Sequence, residues 1–318
     1  FEWFEKNGIP LKTEKDKRVF PESNSSQSII DCFLGKTRDL GIPVLKNHGV
    51  NAIKKQEKSW LVTTKEKQFV CDAVVMAAGS SRKVWDLSKS LGHTIITPVP
   101  SLFTFNIKDD RIKDLSGISI SNATIKLIDT NLEALGPLLI THWGLSGPAI
   151  LKLSAFGARV LAAKNYEYQV QINWLSQPAN EILDTLLNLK NKQPKKQVIV
   201  HSPFKEIPKR LWERFVLASH IHVGHNWADL SHIQINNLTR QLTKAVYTAK
   251  GKSTFKEEFV TAGGVDLKEI NFKTFESKLQ NNLFFIGEIL NIDAVTGGFN
   301  FQNAWTGGWL CAKGLARL

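Results

Sequence analysis

Several common signatures are missing from this 318-residue sequence, and each absence narrows what it can be. Its three cysteines, Cys32, Cys71 and Cys311, lie far apart and form no C-x-x-C pair, so neither a zinc site nor a disulfide framework is indicated and buried free thiols are expected. No uninterrupted apolar run approaches the roughly 18 residues that a membrane-spanning helix needs. The N-terminus also lacks the charged-then-apolar order of a secretory signal. We therefore expect a cytoplasmic chain with no membrane partner. None of the 21 glycines is separated from another by a single residue, so the G-x-G-x-x-G turn that cradles a pyrophosphate occurs nowhere. Acidic residues are in deficit, 29 against 41 lysines and arginines, for a net charge of +12. Such a balance suits an anionic partner but is also met on ordinary enzymes. The Lys-rich run from Lys190 to Arg210 holds a single aromatic, Phe204, rather than aromatics interleaved along it for bases to stack on, so nucleic acid is not the expected partner.

What is present centres on Leu283 to Gly314. Leu283, Phe284, Phe285 and Ile286 form a short apolar run, the mark of a strand covered on both faces. Gly287 and Glu288 end it with a bare backbone followed by a carboxylate suited to accepting hydrogen bonds from sugar or ribityl hydroxyls. The C-terminal edge of a parallel sheet is where such ligands sit. Gly297 and Gly298 allow close approach to a flat ligand, and Asn300 to Gly314 reads as a helix whose first N–H groups face it. A flavin ring is one ligand that fits. An isolated strand, Gly-Gly turn and helix can also merely close an α/β domain, so the rest of the chain has to decide.

The chain opens on Phe1, without an initiator Met, inside a helix from Phe1 to Asn7 ended by Gly8, and we expect it to be a fragment. Ser23 to Ser26 cap a helix from Gln27 to Leu40. Val44 to Val50, Asn51 to Lys54 and Trp60 to Thr64 read as strands, followed by a hairpin and an apolar strand, Ala73 to Ala78, that runs into Gly79. From Pro98 the pattern alternates: SLFTFNI, GISISNATIKLID and PLLITHWGLSGPAILKLS read as half-buried antiparallel strands of a small barrel or sandwich, with Tyr166 to Leu175 as another. Helices are expected within Gln177 to Leu242, including Ala179 to Leu189 and Pro208 to Ser219. Ser253 to Thr261 alternates again. The expectation is a nested α/β architecture, in which Ala73 to Ala78 and Leu283 to Ile286 share one sheet. Residues 1–97 and 265–318 then form one domain, 98–176 with 243–264 a barrel-like domain, and 177–242 an inserted helical domain.

Five blocks, in order, carry a family resemblance. They are RVFPES, the Ala78-Gly79 strand end followed by LGHTIITPVPSL, THWGLSGPAIL, TAGGVDLKEI with TFESK, and GEILNIDAVTGGFNFQNAW. Over essentially its whole length the chain resembles the BaiN-like family of bacterial NAD(P)/FAD-dependent oxidoreductases. The resemblance implies an FAD domain of the two-dinucleotide-binding type, incomplete because its first βα unit is missing, with inserted β-barrel-like and helical domains. It makes Val50 an adenine-side backbone contact, and Ala78 with Gly79 the strand end against the nucleotide. Gly287 and Glu288 would face the ribityl and pyrophosphate region, and Gly298, Phe299, Asn300 and Phe301 would border the isoalloxazine. Ser80, Asn291 and Ala294 depart from the pattern, each by a small replacement. In the family, the absent glycine fingerprint lies ahead of the segment matching Phe1. From this we expect the 318-residue chain alone to bind FAD weakly or not at all.

The chemistry so implied is a flavin-dependent oxidation or reduction of a small organic substrate, with NAD(P)H or oxygen as second redox partner. A helix N-terminus aimed at the flavin would favour its reduced form by up to about 2 kcal/mol, on the order of 40 mV. His142, in a loop tightened by Gly144, Gly147 and Pro148, is the candidate catalytic proton-handling group, set against a structural, hydrogen-bonded role. It is expected at the junction of the β module with the α/β domain. Arg18 is a candidate for steering an acidic substrate, or simply a surface residue. His220, His222, His225 and His232 have no cysteine and only Asp229 for company, so no metal site is expected. The competing reading is a non-enzymatic remnant or binding module whose basic surface meets an anionic partner.

Overall fold

The computed structural model describes residues 1–252 and 260–317. These residues fall into two compact units, one of 1–96, 264–292 and 297–318, the other of 97–263 and 293–296. The chain passes from one to the other within the strands Ile95–Ser101 and Val260–Val265, which pair with each other. Of the alternating segment expected over Ser253 to Thr261, residues 253–259 lie outside the described residues.

The first unit is α/β. Its four-stranded sheet runs Ile270–Asn271, Glu276–Ser277, Leu283–Phe285, Val74–Met76, and the last two strands are parallel, with Leu283 opposite Val74 and Phe285 opposite Met76. The expected shared sheet is thus present. Leu283, Phe284 and Phe285 are fully buried, each contributing about 1.5–3 kcal/mol by leaving water. The companion strand differs from the expectation of burial on both faces, since Val75 is 38% exposed. Val74–Met76 ends the described sheet, with Met76 buried and Val74 half-buried on the face opposite Val75.

A separate antiparallel sheet, Ala52–Lys55, Trp60–Thr63 and Gln68–Cys71, brings Trp60 into the same core. Residues 44–50 form no strand, contrary to the reading of Val44 to Val50. Pro43 precedes them and Gly49 interrupts them, Asn47 takes a left-handed φ of 61°, and Val44 and Leu45 stay exposed. Branched side chains without a partner surface do not make a strand. The C-terminal helix, Phe299–Leu315, buries Gly307, Cys311 and Gly314. A Cβ on Gly307 would stand 3.2 Å from the Phe275 ring, and one on Gly314 3.0 Å from Thr274 Cβ, so these glycines set how closely the helix packs.

In the second unit six strands close a barrel in the order Glu133–Thr141, Gly144–Ser146, Phe105–Ile107, Ala245–Lys252, Glu167–Asn173, Ser119–Leu127. Their inward side chains alternate as the sequence pattern requires, with Ile120, Ala123, Ile125 and Leu127 buried along one strand. One segment read as strand is a helix: Pro148–Phe156. Gly147, at φ 95°, turns the chain, and Pro148 at the helix start supplies the preset φ of a first helical residue. The helices Ala179–Lys192, Lys209–Ala218 and His232–Thr243 share one apolar core with the barrel, through Ile182, Leu186, Trp212, Phe215 and Leu238. The helix His232–Thr243 begins with a reciprocal cap between Ser231 and Gln234.

Candidate functional site

The parallel register places the ends of two strands at one sheet edge. Ile286 donates its N–H to the Met76 carbonyl at 3.1 Å, so residues 77–79 and 287–288 leave the sheet side by side. Gly79 (φ 65°) and Gly287 (φ 74°) make the two turns in left-handed conformations that glycine adopts at little cost. Ala78 is exposed, and a Cβ added to Gly79 would meet nothing within 4 Å. Glu288 follows Gly287 in the short helical turn Gly287–Ile289 and is half-buried.

The C-terminal helix closes this edge. A Cβ on Gly287 would stand 3.7 Å from the Ala304 Cβ, which puts the strand end directly on the helix. Gly298, the N-cap at φ 88°, has open space around it, while Gly297 at φ 128° lies under the Phe299 ring. Phe299 and Phe301 are 57% and 70% exposed. The Phe301 ring stacks on Trp305 at 6.4 Å, Trp305 on Phe33 at 5.3 Å, and Phe33 on Trp3 at 5.2 Å, a ladder of four rings. Its Phe301 end stands beside Asn300 on the opening turn of the helix. Val50 is half-buried against the same core, and its neighbour Asn51 accepts from Lys83 Nζ at 2.7 Å, which ties it to the helix Arg82–Ser90 just beyond Gly79. Ala78, Gly79, Gly287 and Glu288 are therefore brought together, with Val50 linked through Lys83 and Gly297 to Phe301 carried on the packed helix.

These features fit a flat, polyhydroxylated dinucleotide ligand. Two strand ends turn at left-handed glycines, Gly79 with open space beside it and Gly287 buried against the helix, a carboxylate stands beside them, and a seventeen-residue helix follows a residue with no side chain. Two of the thiols are held from the reactive thiolate form, since burial pushes Cys311 up to about 11 and burial, with the charge of Asp72, raises Cys71.

His142 belongs to the barrel unit. It lies exposed at the turn between Glu133–Thr141 and Gly144–Ser146, where Trp143 N donates to Thr141 Oγ1 at 3.3 Å. Gly144 is irreplaceable here: a Cβ would stand 2.3 Å from the Phe105 carbonyl oxygen and 2.5 Å from Ile107 N. His142 lines a cavity of about 920 Å³ with Lys108, Asp110, Lys113, Asp114 and Ser116. The loop forming its other wall is pinned by Arg111, which donates to both Asp109 carboxylate oxygens, to Gln241 Oε1 and to the Val246 carbonyl, and lies 3.9 Å over the Tyr247 ring. Burial acts to raise the Asp109 pKa, but hydrogen bonds and charge from Arg111 hold it below the usual carboxylate value.

Sequence reasoning missed a third group. His93 Nδ1 lies 3.0 Å from Glu269 Oε2 and its Nε2 3.1 Å from Ser277 Oγ, the spacing of a nucleophile, base and orienting carboxylate. The histidine and serine are both buried, and Ser277 Oγ already accepts from the N–H groups of Leu279 and Gln280. The group is therefore a structural brace between the turn at His93 and the strands after Glu269. Its members all stand in LGHTIITPVPSL, TAGGVDLKEI and TFESK, so the signal was in the blocks but not its geometry.

The chain is similar to known proteins over nearly its whole length. The chain is 25% identical to a 3-dehydro-bile acid delta(4,6)-reductase of Clostridium scindens, over 99% of its own length and 79% of that protein's. It is 26% identical to a ribosomal RNA dihydrouridine synthase of Haemophilus influenzae and 25% identical to one of Escherichia coli, over 98% of this chain and 77% of each relative. The HI0933-like protein Rossmann domain family matches residues 1–314. With nearly every residue inside that match, and consistent with the BaiN-like resemblance of its ordered blocks, the chain belongs to the HI0933-like Rossmann-domain family.

Proposed function

We propose that the protein is an FAD-dependent oxidoreductase that reduces a carbon–carbon double bond conjugated to a carbonyl, with NAD(P)H as electron source and oxygen as an alternative acceptor. One observation carries the reading: two parallel strands release Ala78-Gly79 and Gly287-Glu288 at one edge, against the helix that opens at Gly298. This is the arrangement in which open parallel sheets bind dinucleotides. The relatives supply the direction of chemistry. A delta(4,6)-reductase of a 3-dehydro bile acid and an enzyme that makes dihydrouridine in ribosomal RNA both, by their names, saturate an alkene in conjugation with a carbonyl group.

A bound flavin would supply the two-electron, hydride-type transfer that no amino-acid side chain performs. The chain's residues have the remaining tasks. Glu288 would accept hydrogen bonds from ribityl or ribose hydroxyls. Gly79 and Gly287 would let backbone approach the ligand without a Cβ between them, and Val50 would contact the adenine side. The first turn of Phe299–Leu315 would direct its N–H groups and partial positive charge toward negative charge on the ligand. His142, in the barrel unit, is the candidate proton-handling group, and a His142→Ala protein with unchanged turnover would remove it from that role. Anaerobic addition of NADPH to the natural protein should bleach a flavin band near about 450 nm, and an α,β-unsaturated ketone or a uridine-containing oligonucleotide should restore it. A colourless protein would end the reading, and a bleached band restored by oxygen alone would remove the reductase direction.

A further inference from the structure

One short helix of the α/β unit reaches every strand end given a nucleotide-binding task. The helix Arg82–Ser90 starts just beyond Gly79; its N-cap Ser81 donates its N–H to the Gly79 carbonyl at 3.0 Å, and the Ser81 carbonyl accepts from Val84 and Trp85. Lys83 ties the helix to Asn51, the neighbour of Val50. Trp85 makes the third link. Its indole is buried, and Nε1 donates to the Ile289 carbonyl at 3.0 Å across 204 positions of sequence. Ile289 ends the turn Gly287–Ile289, which carries Glu288 and is closed by the Leu290 N–H on the Gly287 carbonyl at 3.3 Å. Beyond the turn, Asn291 donates to the Val265 carbonyl at 3.0 Å. The backbone is thus held before the turn at Met76 and after it at Val265, and the indole holds the turn itself. Packing alone does not account for a tryptophan at this position. Trp60 lies in the same apolar core, and its Nε1 has no hydrogen-bond partner among the described residues, so that core takes an indole for its bulk. The Trp85 N–H, a donor only, is aimed at a carbonyl instead.

We propose that Trp85 is a positioning residue of the cofactor site: its indole N–H fixes the turn Gly287–Ile289, and with it the direction of the Glu288 carboxylate, against the strand end Ala78-Gly79. A three-residue helical turn does not hold itself well, because its hydrogen bonds have poor geometry. Gly287, at φ 74°, gives the backbone ahead of Glu288 wide freedom. A carboxylate that accepts from the hydroxyls of a ribose or ribityl chain must nevertheless be held to within about 0.5 Å. A rigid ring reaching in from a separate element supplies that restraint. Trp85 is itself covered, so it acts through Glu288 and makes no contact with the ligand. The task of Glu288 rests on the flavin reading, whereas the hold on the turn stands without it.

The test compares Trp85→Phe with Trp60→Phe, which removes an indole from the same core without breaking this bond, in the natural protein. Without cofactor, hydrogen exchange at Leu290 and Asn291 should be about tenfold faster in Trp85→Phe, the order expected for loss of one buried hydrogen bond, and unchanged in Trp60→Phe. FAD titrations then form a cycle. Trp85→Phe and Glu288→Gln should each weaken binding about tenfold, and the Trp85→Phe/Glu288→Gln double variant should stay within about twofold of the weaker single one, because a misdirected carboxylate has no bond left to lose. Trp60→Phe combined with Glu288→Gln should instead multiply the separate effects, as a merely structural residue does. Circular dichroism shows whether each variant is folded. Should Trp85→Phe fail to fold, benzothienylalanine at position 85 keeps the shape of the indole without its N–H and takes its place in both measurements. Unchanged exchange at Leu290 and Asn291 in the folded variant, or FAD affinities that multiply in the double variant, overturns the inference. A natural protein that binds no FAD ends the flavin reading and the task of Glu288 with it, whereas unchanged exchange in a protein that does bind FAD ends this inference alone.

Discussion

Replacing Gly264 by alanine should be among the most damaging single changes to the α/β unit. Gly264 lies in the strand Val260–Val265 at φ 125°, and a Cβ there would stand 2.3 Å from the Ile289 carbonyl oxygen, 2.8 Å from Leu290 C and 2.9 Å from Leu290 O. All three are backbone atoms, so no rotamer change relieves the contact. The left-handed φ costs about 1–3 kcal/mol. Forcing Ile289–Leu290 aside costs about 1–3 kcal/mol more. The expected loss is therefore about 2–6 kcal/mol, against the 5–15 kcal/mol that holds a typical domain folded. Ile289 directly follows Glu288, so the same displacement disturbs the strand end that forms the candidate site. Gly92→Ala separates the two terms. Gly92 has φ 94° with nothing within 4 Å of an added Cβ, so it pays strain alone. Urea unfolding followed by tryptophan fluorescence and circular dichroism should show Gly264→Ala lowering the α/β unit's transition well below that of Gly92→Ala, with the slope unchanged. A loss under about 1 kcal/mol, or equal losses for the two variants, would refute the reasoning.

Arg111→Met should destabilise the barrel unit by about 2–4 kcal/mol, through lost charge-assisted hydrogen bonds and the contact with the Tyr247 ring. Arg111→Lys should recover only part of this, because an ammonium cannot reproduce the fork, and thermal melts rank the three proteins. Burial lowers the His93 pKa from 6.5, outweighing the opposite pull of Glu269, so the folded unit prefers the neutral ring. Its contribution to stability is complete above about pH 6.5 and is lost as pH falls toward the depressed value. Urea midpoints of the α/β unit should therefore drop between pH 7 and pH 5, and His93→Gln should flatten that drop. The Asp109 carboxyl, held low, should contribute at neutral pH and lose its contribution only as pH falls below the ordinary carboxylate range, a later decline confined to the barrel unit.

The parts of the fold that were legible share a physical cause. Leu283 to Ile286 is apolar throughout and its first three residues are fully buried, and Ser119–Leu127 alternates and lines a barrel, because burial pattern and sequence pattern are the same constraint seen twice. Failures came where local composition imitates a strand without a surface to cover it, as at Val44 and Leu45, or where Gly147-Pro148 starts a helix inside an apolar stretch. Gly79, Gly287 and Gly298 were visible because left-handed backbone selects glycine. The pairing of His93 with Glu269 and Ser277 spans 176 and 184 positions, and nothing in spacing announces a contact at that range. The contact of Arg210 with the Asp114 carbonyl was hidden for the same reason, since it spans 96 positions.

The most direct test of the central claim is the visible spectrum of the natural protein with and without Gly298→Val. Gly298 opens the helix at φ 88° with free space around it, so a branched side chain both strains the turn and fills the room beside the strand ends. The account predicts a flavin band near about 450 nm in the unaltered protein, and its loss in the variant while the circular dichroism spectrum stays that of a folded chain. A colourless unaltered protein, or a folded variant that keeps its full flavin band, would contradict it.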